Sequence, residues 1–259
     1  MCNRMKSRLL SSVLLAAAFA LPQTASAGRV IVNNDEWTFT DYGFSVATPS
    51  TTTFAGNLAS YMNTDGGTCN LLVYSDNFGL TGLALKGALT GAGCSVTYST
   101  GAFDLATLSA FDGVLLAGTQ YAYNAVTLSA FVDSGHSAYI AAGTGIPNEH
   151  NVWDSFIQPY GFDFGMSYNG IVGDLTVAGG DPLLAGVSDL YFKNGNTVGL
   201  YGSVAGSRII ATQNGAGLIG VYGGGTERVA PQLNVPEPAT LALLGVGLIG
   251  LGFSRRRVA

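Results

Sequence analysis

Few of the 259 residues of this chain are charged, and positive charge is rarest in its middle. Only 10% of the residues are Asp, Glu, Lys or Arg, and six of the eleven basic residues lie in the first eight or the last five positions. Residues 28–235 carry 5 basic and 15 acidic side chains, a formal charge of -10. Because a phosphate backbone is bound by clustered Lys and Arg, this composition excludes nucleic acid as a partner. The hydrophobic fraction of 47% also excludes a disordered chain.

Cysteine is also rare, with Cys2, Cys69 and Cys94 as its three positions. Cys2 lies in the predicted leader described below, so an even pair remains after export. Cys69 and Cys94 each precede a strand-like run, and they can form a disulfide in an oxidising compartment if the two strands are neighbours. The alternative is a pair of small, buried hydrophobic side chains.

Histidine is limited to His136 and His150, and the aspartates have no EF-hand spacing. The sequence Gly143-Thr144-Gly145 lacks the later glycine of a dinucleotide-binding loop. The sequence therefore predicts no metal ion and no cofactor. His136 follows a glycine between a helical pattern and a strand pattern, and we expect it at the surface.

The first 27 residues have the three parts of a secretory signal peptide. Basic residues precede an apolar run from Leu9 to Leu21, and the run is followed by Pro22 and by Ala25-Ser26-Ala27. A transmembrane helix is the alternative, but the run is shorter than the ~20 residues that span a bilayer. We therefore predict export by the Sec translocon and cleavage by signal peptidase at the small residues Ala25 and Ala27. Gly28 becomes the first residue.

The C-terminus has the pattern of a thin membrane anchor. Pro236-Glu237-Pro238 precedes an uncharged stretch from Ala239 to Phe253, and Arg255-Arg256-Arg257 follows it. The prolines prevent a helix from running in from the preceding domain. The 15 uncharged residues would cover roughly 22 Å as a helix, less than the ~30 Å hydrocarbon core. Because arginines stay on the cytoplasmic side, we expect a C-terminal transmembrane helix with the domain outside.

The C-terminal sequence VPEPATLALLGVGLIGLGFSRRR resembles the PEP-CTERM sorting signal of Gram-negative bacteria. The resemblance implies that exosortase, a membrane transpeptidase-like enzyme, cuts near Pro-Glu-Pro and passes the protein to the surface or the extracellular matrix. A plain C-terminal tail anchor is the alternative. We divide the chain into a signal peptide (1–27), an exported domain (28–222), a linker (223–235) and a sorting and anchor segment (236–259).

The middle of the chain alternates short apolar runs with helical patterns. Strands are predicted at 71–74, 95–98, 114–117 and 138–141, with amphipathic helices between and after them. Strands that are apolar throughout and separated by helices indicate a parallel sheet covered on both faces. We therefore predict the α/β class, as a three-layer, doubly wound, mostly parallel sheet of the flavodoxin-like kind.

Further elements flank this core. Residues 29–33 read as an added strand and residues 53–62 as a helix. Residues 207–212 and 217–222 bracket the dipeptide Asn214-Gly215, which is a strong signal for a β-hairpin.

The element order, together with SAYIAAGTG at the fourth strand and the later DPLLAGV, resembles the class I glutamine amidotransferase-like superfamily. In that family a cysteine lies on the turn after the fourth strand, where this chain has Ala142-Gly143-Thr144-Gly145. The sequence His-Pro-Glu is also missing. The resemblance therefore implies the fold without the amidotransferase reaction. The run from NDEWTFTDYGF to LYFKNGN is similar to an uncharacterised domain of exported PEP-CTERM proteins, which names no activity.

Ligands of such folds bind beyond the carboxyl ends of the strands, at the point where the strand order reverses. The polar residues at this edge could form a ligand site, and three of them could form an acid-base or weak metal cluster. The alternative is that they are turn, cap and helix-start residues. The cluster residues are Asp76, Glu149 and His150, and the candidate ligand site adds Asn77, Gln120 and Thr144.

These observations favour an exported surface or biofilm-matrix protein whose domain is not an enzyme. Its expected course is an inner-membrane anchored intermediate, followed by release or transfer to the cell surface. The alternative is an extracellular hydrolase or carbohydrate-binding protein that uses the crevice at the strand ends. Exopolysaccharide is then a candidate partner, beside the export and sorting enzymes and the membrane.

Overall fold

The computed structural model describes residues 28–64, 66–118, 123–143, 149–177 and 179–223. The chain divides into two units, Met1–Thr226 and Glu227–Ala259, and all described residues belong to the first. The predicted signal peptide, the predicted transmembrane helix, the sorting residues, Gln120 and Thr144 lie outside the described residues. Within the described part, no helix is both long and apolar enough to cross a membrane.

The described residues form an α/β fold. The strands are β1 (Arg29–Asn33), β2 (Asn70–Val73), β3 (Ser95–Tyr98), β4 (Gly113–Ala117), β5 (Ser137–Ala141), β6 (Phe162–Phe164), β7 (Val172–Thr176), β8 (Asp189–Lys193), β9 (Val198–Leu200), β10 (Ser207–Gln213) and β11 (Ala216–Tyr222). The α-helices are α1 (Asp41–Val46), α2 (Ser50–Met62), α3 (Leu83–Gly91), α4 (Leu105–Leu108), α5 (Ala125–Asp133) and α6 (Glu149–Ile157). Short 3-10 helices occur at Glu36–Phe39, Gln158–Tyr160 and Pro182–Leu184.

A mostly parallel sheet of seven strands lies at the centre of the described residues, in the order β10-β11-β1-β5-β4-β2-β3. The five strands from β1 to β3 in this order pair in parallel, whereas β11 pairs antiparallel with both β1 and β10. Two small antiparallel pairs, β6 with β9 and β7 with β8, lie beside it. From β2 the chain runs to β3 on one side of it, and then crosses to β4 on the other side. The strand order therefore reverses between β2 and β4.

Side chains of the parallel strands alternate between two hydrophobic cores, because neighbouring strand residues point to opposite faces. Ile31 and Leu115 belong to one core, which α2 and α3 cover. Val32 and Leu116 belong to the other, which α5 and α6 cover. Helices therefore lie on both faces of the sheet, and this explains why β4 and β5 are buried throughout.

The predicted strands and helices agree closely with the observed ones. β1 and β3 have the predicted bounds, and β2, β4 and β5 differ from them by one residue. The helix predicted at 53–62 begins at Ser50. The Asn214-Gly215 turn joins β10 to β11, and both of its residues have positive φ, as a tight two-residue hairpin turn requires.

Cys69 and Cys94 are joined by a disulfide in the structure. The two residues directly precede β2 and β3, which are parallel neighbours. The bond therefore connects the amino ends of two adjacent strands across the helix α3 that links them. His136 is half-buried at the start of β5, where its ring stacks on Phe131 at 4.5 Å.

Candidate functional site

The carboxyl ends of β1, β5, β4 and β2 lie at one edge of the sheet because these strands are parallel. The 3-10 helix Glu36–Phe39, which follows β1, extends toward the loop after β2. The side chains of Glu36 and Asn77 meet there, with 2.8 Å between Glu36 Oε1 and Asn77 Nδ2. This contact crosses the ends of the two intervening strands, β5 and β4.

Asp35 is fully buried and connects two backbone segments through three amides. Its Oδ1 accepts a hydrogen bond from the Trp37 amide at 2.8 Å and so caps the 3-10 helix. Its Oδ2 accepts hydrogen bonds from the amides of Lys193, the last residue of β8, and of Gly195. Burial raises the pKa of Asp35 to about 6, although these three amides act in the opposite direction. The carboxylate thus holds the start of the 3-10 helix against the end of β8.

Glu36 is 1% exposed, and only one of its two carboxyl oxygens has a hydrogen-bond partner among the described residues. Burial raises the pKa of Glu36 to about 9, and the negative charges of Glu149 and Asp35 add to this effect. The group is therefore protonated at neutral pH.

Glu149 is the first residue of α6, and it is 2% exposed. Its Oε2 accepts a hydrogen bond from the Gly143 amide at 2.9 Å, which fastens the helix start to the end of β5. Gly143 has a φ of 110°, and a Cβ there would lie 2.6 Å from the carbonyl oxygen of Asn34. Only glycine fits this position, so the backbone after β5 packs directly on the backbone after β1.

Among the described residues, side chains of neighbouring segments meet at the point of strand reversal. A Cβ at Gly118, which follows β4, would lie 2.7 Å from Asn77 Nδ2 and 3.1 Å from Glu36 Oε1. Glu36 and Asn77 therefore occupy the space where ligands of open α/β sheets usually bind. Among the described residues, no group of three or more His, Cys, Asp and Glu side chains is arranged to hold a metal ion.

The structure separates the predicted site residues into two groups. Asn77 contacts Glu36 directly, and the charge of Glu149 acts on Glu36. Asp76 is exposed to solvent, and His150 is half-buried. Asp154 lies one turn further along α6 than His150. Burial raises the pKa of Asp154, and the interaction with His150 opposes part of this rise.

Asp35 and Glu36 were not among the predicted site residues. A signal for them exists, because a polar Asn-Asp-Glu run directly follows the apolar strand β1. Whether this polar run belongs to the site depends on the position of β1 in the sheet. Only a strand placed parallel to β5 brings residues 34–36 to the edge where β2 and β4 also end.

Residues 234–257 match the family model described as the PEP-CTERM protein-sorting motif. No curated protein and no solved structure matches the chain. The chain carries this sorting motif at its C-terminus. The motif supports exosortase-dependent sorting of an exported protein, through a membrane-anchored intermediate, to the cell surface or beyond it.

Proposed function

We propose that this protein is an exported surface or extracellular-matrix protein, sorted and processed by exosortase, whose folded domain is not a catalyst. The match of residues 234–257 to the sorting motif is the observation that carries the proposal. Exosortase, the Sec translocon and signal peptidase are its processing partners, and the matrix of a biofilm is its destination.

The arrangement at the carboxyl edge supports a structural role for the domain. The buried carboxyl groups of Asp35 and Glu149 accept hydrogen bonds from backbone amides, and that of Glu36 accepts one from Asn77. A catalytic group has to reach the substrate, whereas Asp35 and Glu36 are 0% and 1% exposed. These side chains hold loops together at the place where a related enzyme would keep an open crevice.

The strand order also supports a flavodoxin-like architecture for the domain. The order β3-β2-β4-β5 agrees with the first four positions of the flavodoxin-like order 2-1-3-4-5. The fifth position of the sheet is occupied by β1, the first strand of the domain, and not by a strand that follows β5.

Localisation in the native host tests the sorting proposal. Replacing Pro236, Glu237 and Pro238 together by alanine removes the recognition sequence and leaves the apolar stretch and the arginines in place. We expect the triple variant to remain in the membrane fraction, whereas the unaltered chain reaches the cell surface or the medium. Equal release of both proteins would contradict exosortase processing.

A hydrolase is the second candidate function, and one observation favours it. Glu36 is a carboxyl group that stays protonated at neutral pH beside the charge of Glu149, and such pairs of carboxyls act as general acid and base in many enzymes. A screen of ester, amide and glycoside substrates decides between the candidates. We expect no turnover by the unaltered protein. Turnover that Glu36→Gln or His150→Ala abolishes in a folded protein would establish the enzyme.

A further inference from the structure

A cluster of exposed aromatic side chains lies outside the buried carboxyl groups. The ring centroid of Trp37 is 5.1 Å from that of Phe78 and 6.5 Å from that of Tyr42, and we call these three residues the aromatic platform. Tyr42 is 52% exposed, Phe78 is 45% exposed, and Trp37 is half-buried. Single exposed apolar side chains are common, but several rings in mutual contact at the surface usually mark a binding site.

The buried carboxyls hold the aromatic platform in place. Asp35 binds the amides of both Trp37 and Lys193, and the Lys193 ammonium lies 3.7 Å from the centre of the Trp37 ring. Glu36 binds Asn77, the residue before Phe78. Thr40, which caps α1 before Tyr42, donates a hydrogen bond from its hydroxyl to the Trp37 carbonyl oxygen at 2.8 Å. Each element that supplies a ring or the ammonium is thus fastened to the segment 35–37. A surface whose side chains are fixed before binding loses little conformational entropy when a ligand arrives.

The size of the aromatic platform favours a small ligand over a folded protein. A fully buried aromatic side chain covers roughly 200 Å², so three half-exposed rings offer about 300 Å². A stable protein interface buries about 800 Å² on each partner. The Lys193 ammonium lies over the Trp37 ring, and such a charge within the cluster also differs from the apolar centre of a protein interface.

The charges around the aromatic platform indicate the chemical class of the ligand. The -10 charge of residues 28–235 disfavours anionic polymers, and Lys193 on the Trp37 ring disfavours a cationic ligand. A neutral saccharide suits the remaining chemistry, because its C–H faces carry partial positive charge and pack on the negative faces of aromatic rings. Its hydroxyl groups can pair with the Lys193 ammonium and with the exposed carboxylates Asp41 and Asp76, next to Tyr42 and near Phe78.

We propose that the aromatic platform of Trp37, Tyr42 and Phe78, with Lys193 beside it, is a binding site for neutral polysaccharide. Trp37 meets Tyr42 and Phe78 edge-to-face, at interplanar angles of 87° and 63°, and Lys193 lies over the Trp37 ring. The exposed rings of Tyr42 and Phe78 therefore supply the stacking surface, and Lys193 pairs with the hydroxyl groups of the sugar. The site uses exposed side chains and needs no open crevice. The proposal goes beyond sorting, since it concerns what the domain holds after it has reached the surface.

Affinity electrophoresis of the processed protein from the native host tests the proposal. Native gels contain laminarin, xylan, dextran or pullulan, and bound protein is retarded. We expect at least one of these neutral polysaccharides to retard the unaltered protein, and the Tyr42→Ala/Phe78→Ala double variant to bind about ten-fold more weakly. Tyr201→Ala is the matched control, because Tyr201 is 49% exposed and lies outside the aromatic platform. It should bind as the unaltered protein does.

A second measurement needs no variant. Trp153 is fully buried and Trp37 is not, so acrylamide quenching of tryptophan fluorescence reports chiefly on Trp37. A bound polysaccharide should lower this quenching.

The proposal is overturned if none of the four polysaccharides changes either measurement, or if Tyr201→Ala weakens binding as much as the double variant does. Loss of a protein partner from the double variant, without any effect of polysaccharide, would overturn it in favour of a protein-binding surface. Cleavage of a bound polysaccharide would contradict the non-catalytic role and leave the binding site intact.

Discussion

Glu36 is a carboxyl group that the fold keeps protonated, and this makes stability depend on pH. Its pKa is about 9 in the folded chain, because of burial first and then the charges of Glu149 and Asp35, against an ordinary value of 4.5. Between these two values, unfolding releases a proton, so a rise in pH favours the unfolded state. The contribution of Glu36 is complete below its ordinary pKa and is lost as the pH rises toward 9.

We therefore expect the free energy of unfolding to fall by about 3 kcal/mol between about pH 6 and about pH 8. Glu36→Gln keeps an oxygen for the Asn77 hydrogen bond and cannot titrate, so most of this fall should disappear. Urea unfolding at the two pH values measures the effect. Asp76→Asn, at an exposed position of the same edge, is the control and should retain the fall. A Glu36→Gln variant with an unchanged pH dependence would show that Glu36 is charged in the folded protein.

Asp35 is expected to contribute more to stability than an ordinary helix cap. Asp35→Ala removes the acceptor for three backbone amides, those of Trp37, Lys193 and Gly195, and should lower the free energy of unfolding by about 3 kcal/mol. Asp104→Ala is the control, because the Asp104 carboxylate is an ordinary helix cap that accepts from the Thr107 amide at the start of the exposed helix α4. That change should cost about 1 kcal/mol. Equal losses in the two variants, measured by urea unfolding, would argue against a special role for Asp35.

At the scale of elements, the sequence predicts where the strands lie along the chain better than it predicts which strands pair in the sheet. Runs such as Val114–Ala117 are short, apolar throughout and flanked by helical patterns, and together these properties indicate a strand buried on both faces. The start of helix α5 is likewise predicted from Asn124, whose side chain caps it. Such signals are local and can be recognised within a few residues.

The arrangement of the strands depends on contacts between distant residues. β1 lies between β5 and β11, so residues from both ends of the domain meet in the middle of the sheet. No local pattern specifies that pairing, and the buried acids after β1 were missed for this reason. Asn77 and Glu149 were named because they follow strands of the recognised parallel series. Glu36, which binds Asn77 and feels the charge of Glu149, comes from outside that series.

The disulfide between Cys69 and Cys94 should stabilise the unit formed by β2, α3 and β3. It closes a loop over a sequence separation of 25 residues, for which loss of unfolded-state entropy predicts about 3 kcal/mol. We expect the Cys69→Ser/Cys94→Ser double variant to fold with a free energy of unfolding lower by about that amount. Urea unfolding measures the difference, and non-reducing peptide mapping of the exported protein checks that the bond forms. Recovery of both cysteines as free thiols would contradict the bond.

At the scale of the whole molecule, both predicted processing points fall outside the described residues, which begin at Gly28 and end at Gly223. Gly28 packs so closely on the end of α5 that a Cβ there would lie 2.0 Å from the Val132 carbonyl oxygen. Gly223 is fixed at the other boundary, because its carbonyl oxygen accepts hydrogen bonds from Tyr61 Oη at 2.9 Å and from Arg208 at 3.1 Å. A Cβ at Gly223 would lie 3.1 Å from the Gly28 carbonyl oxygen, so the two boundaries are neighbours.

This geometry leads to an expectation for the mature protein. Cleavage after Ala27 leaves Gly28 in its packed position, and cleavage near Pro236-Glu237-Pro238 falls beyond the hydrogen bonds of Gly223, so neither cut has to disturb the cores. We expect the protein from the surface or medium of the native host to begin at Gly28 and to lack Arg255, Arg256 and Arg257. Intact-mass measurement, with N-terminal peptide mapping, checks both ends. The same measurement on the membrane fraction should find a form that has lost the signal peptide and still carries the arginines, since the anchored intermediate precedes the second cut. If the arginines were still attached to the extracellular protein, release would not depend on C-terminal cleavage, and the assignment of exosortase as the processing enzyme would be wrong.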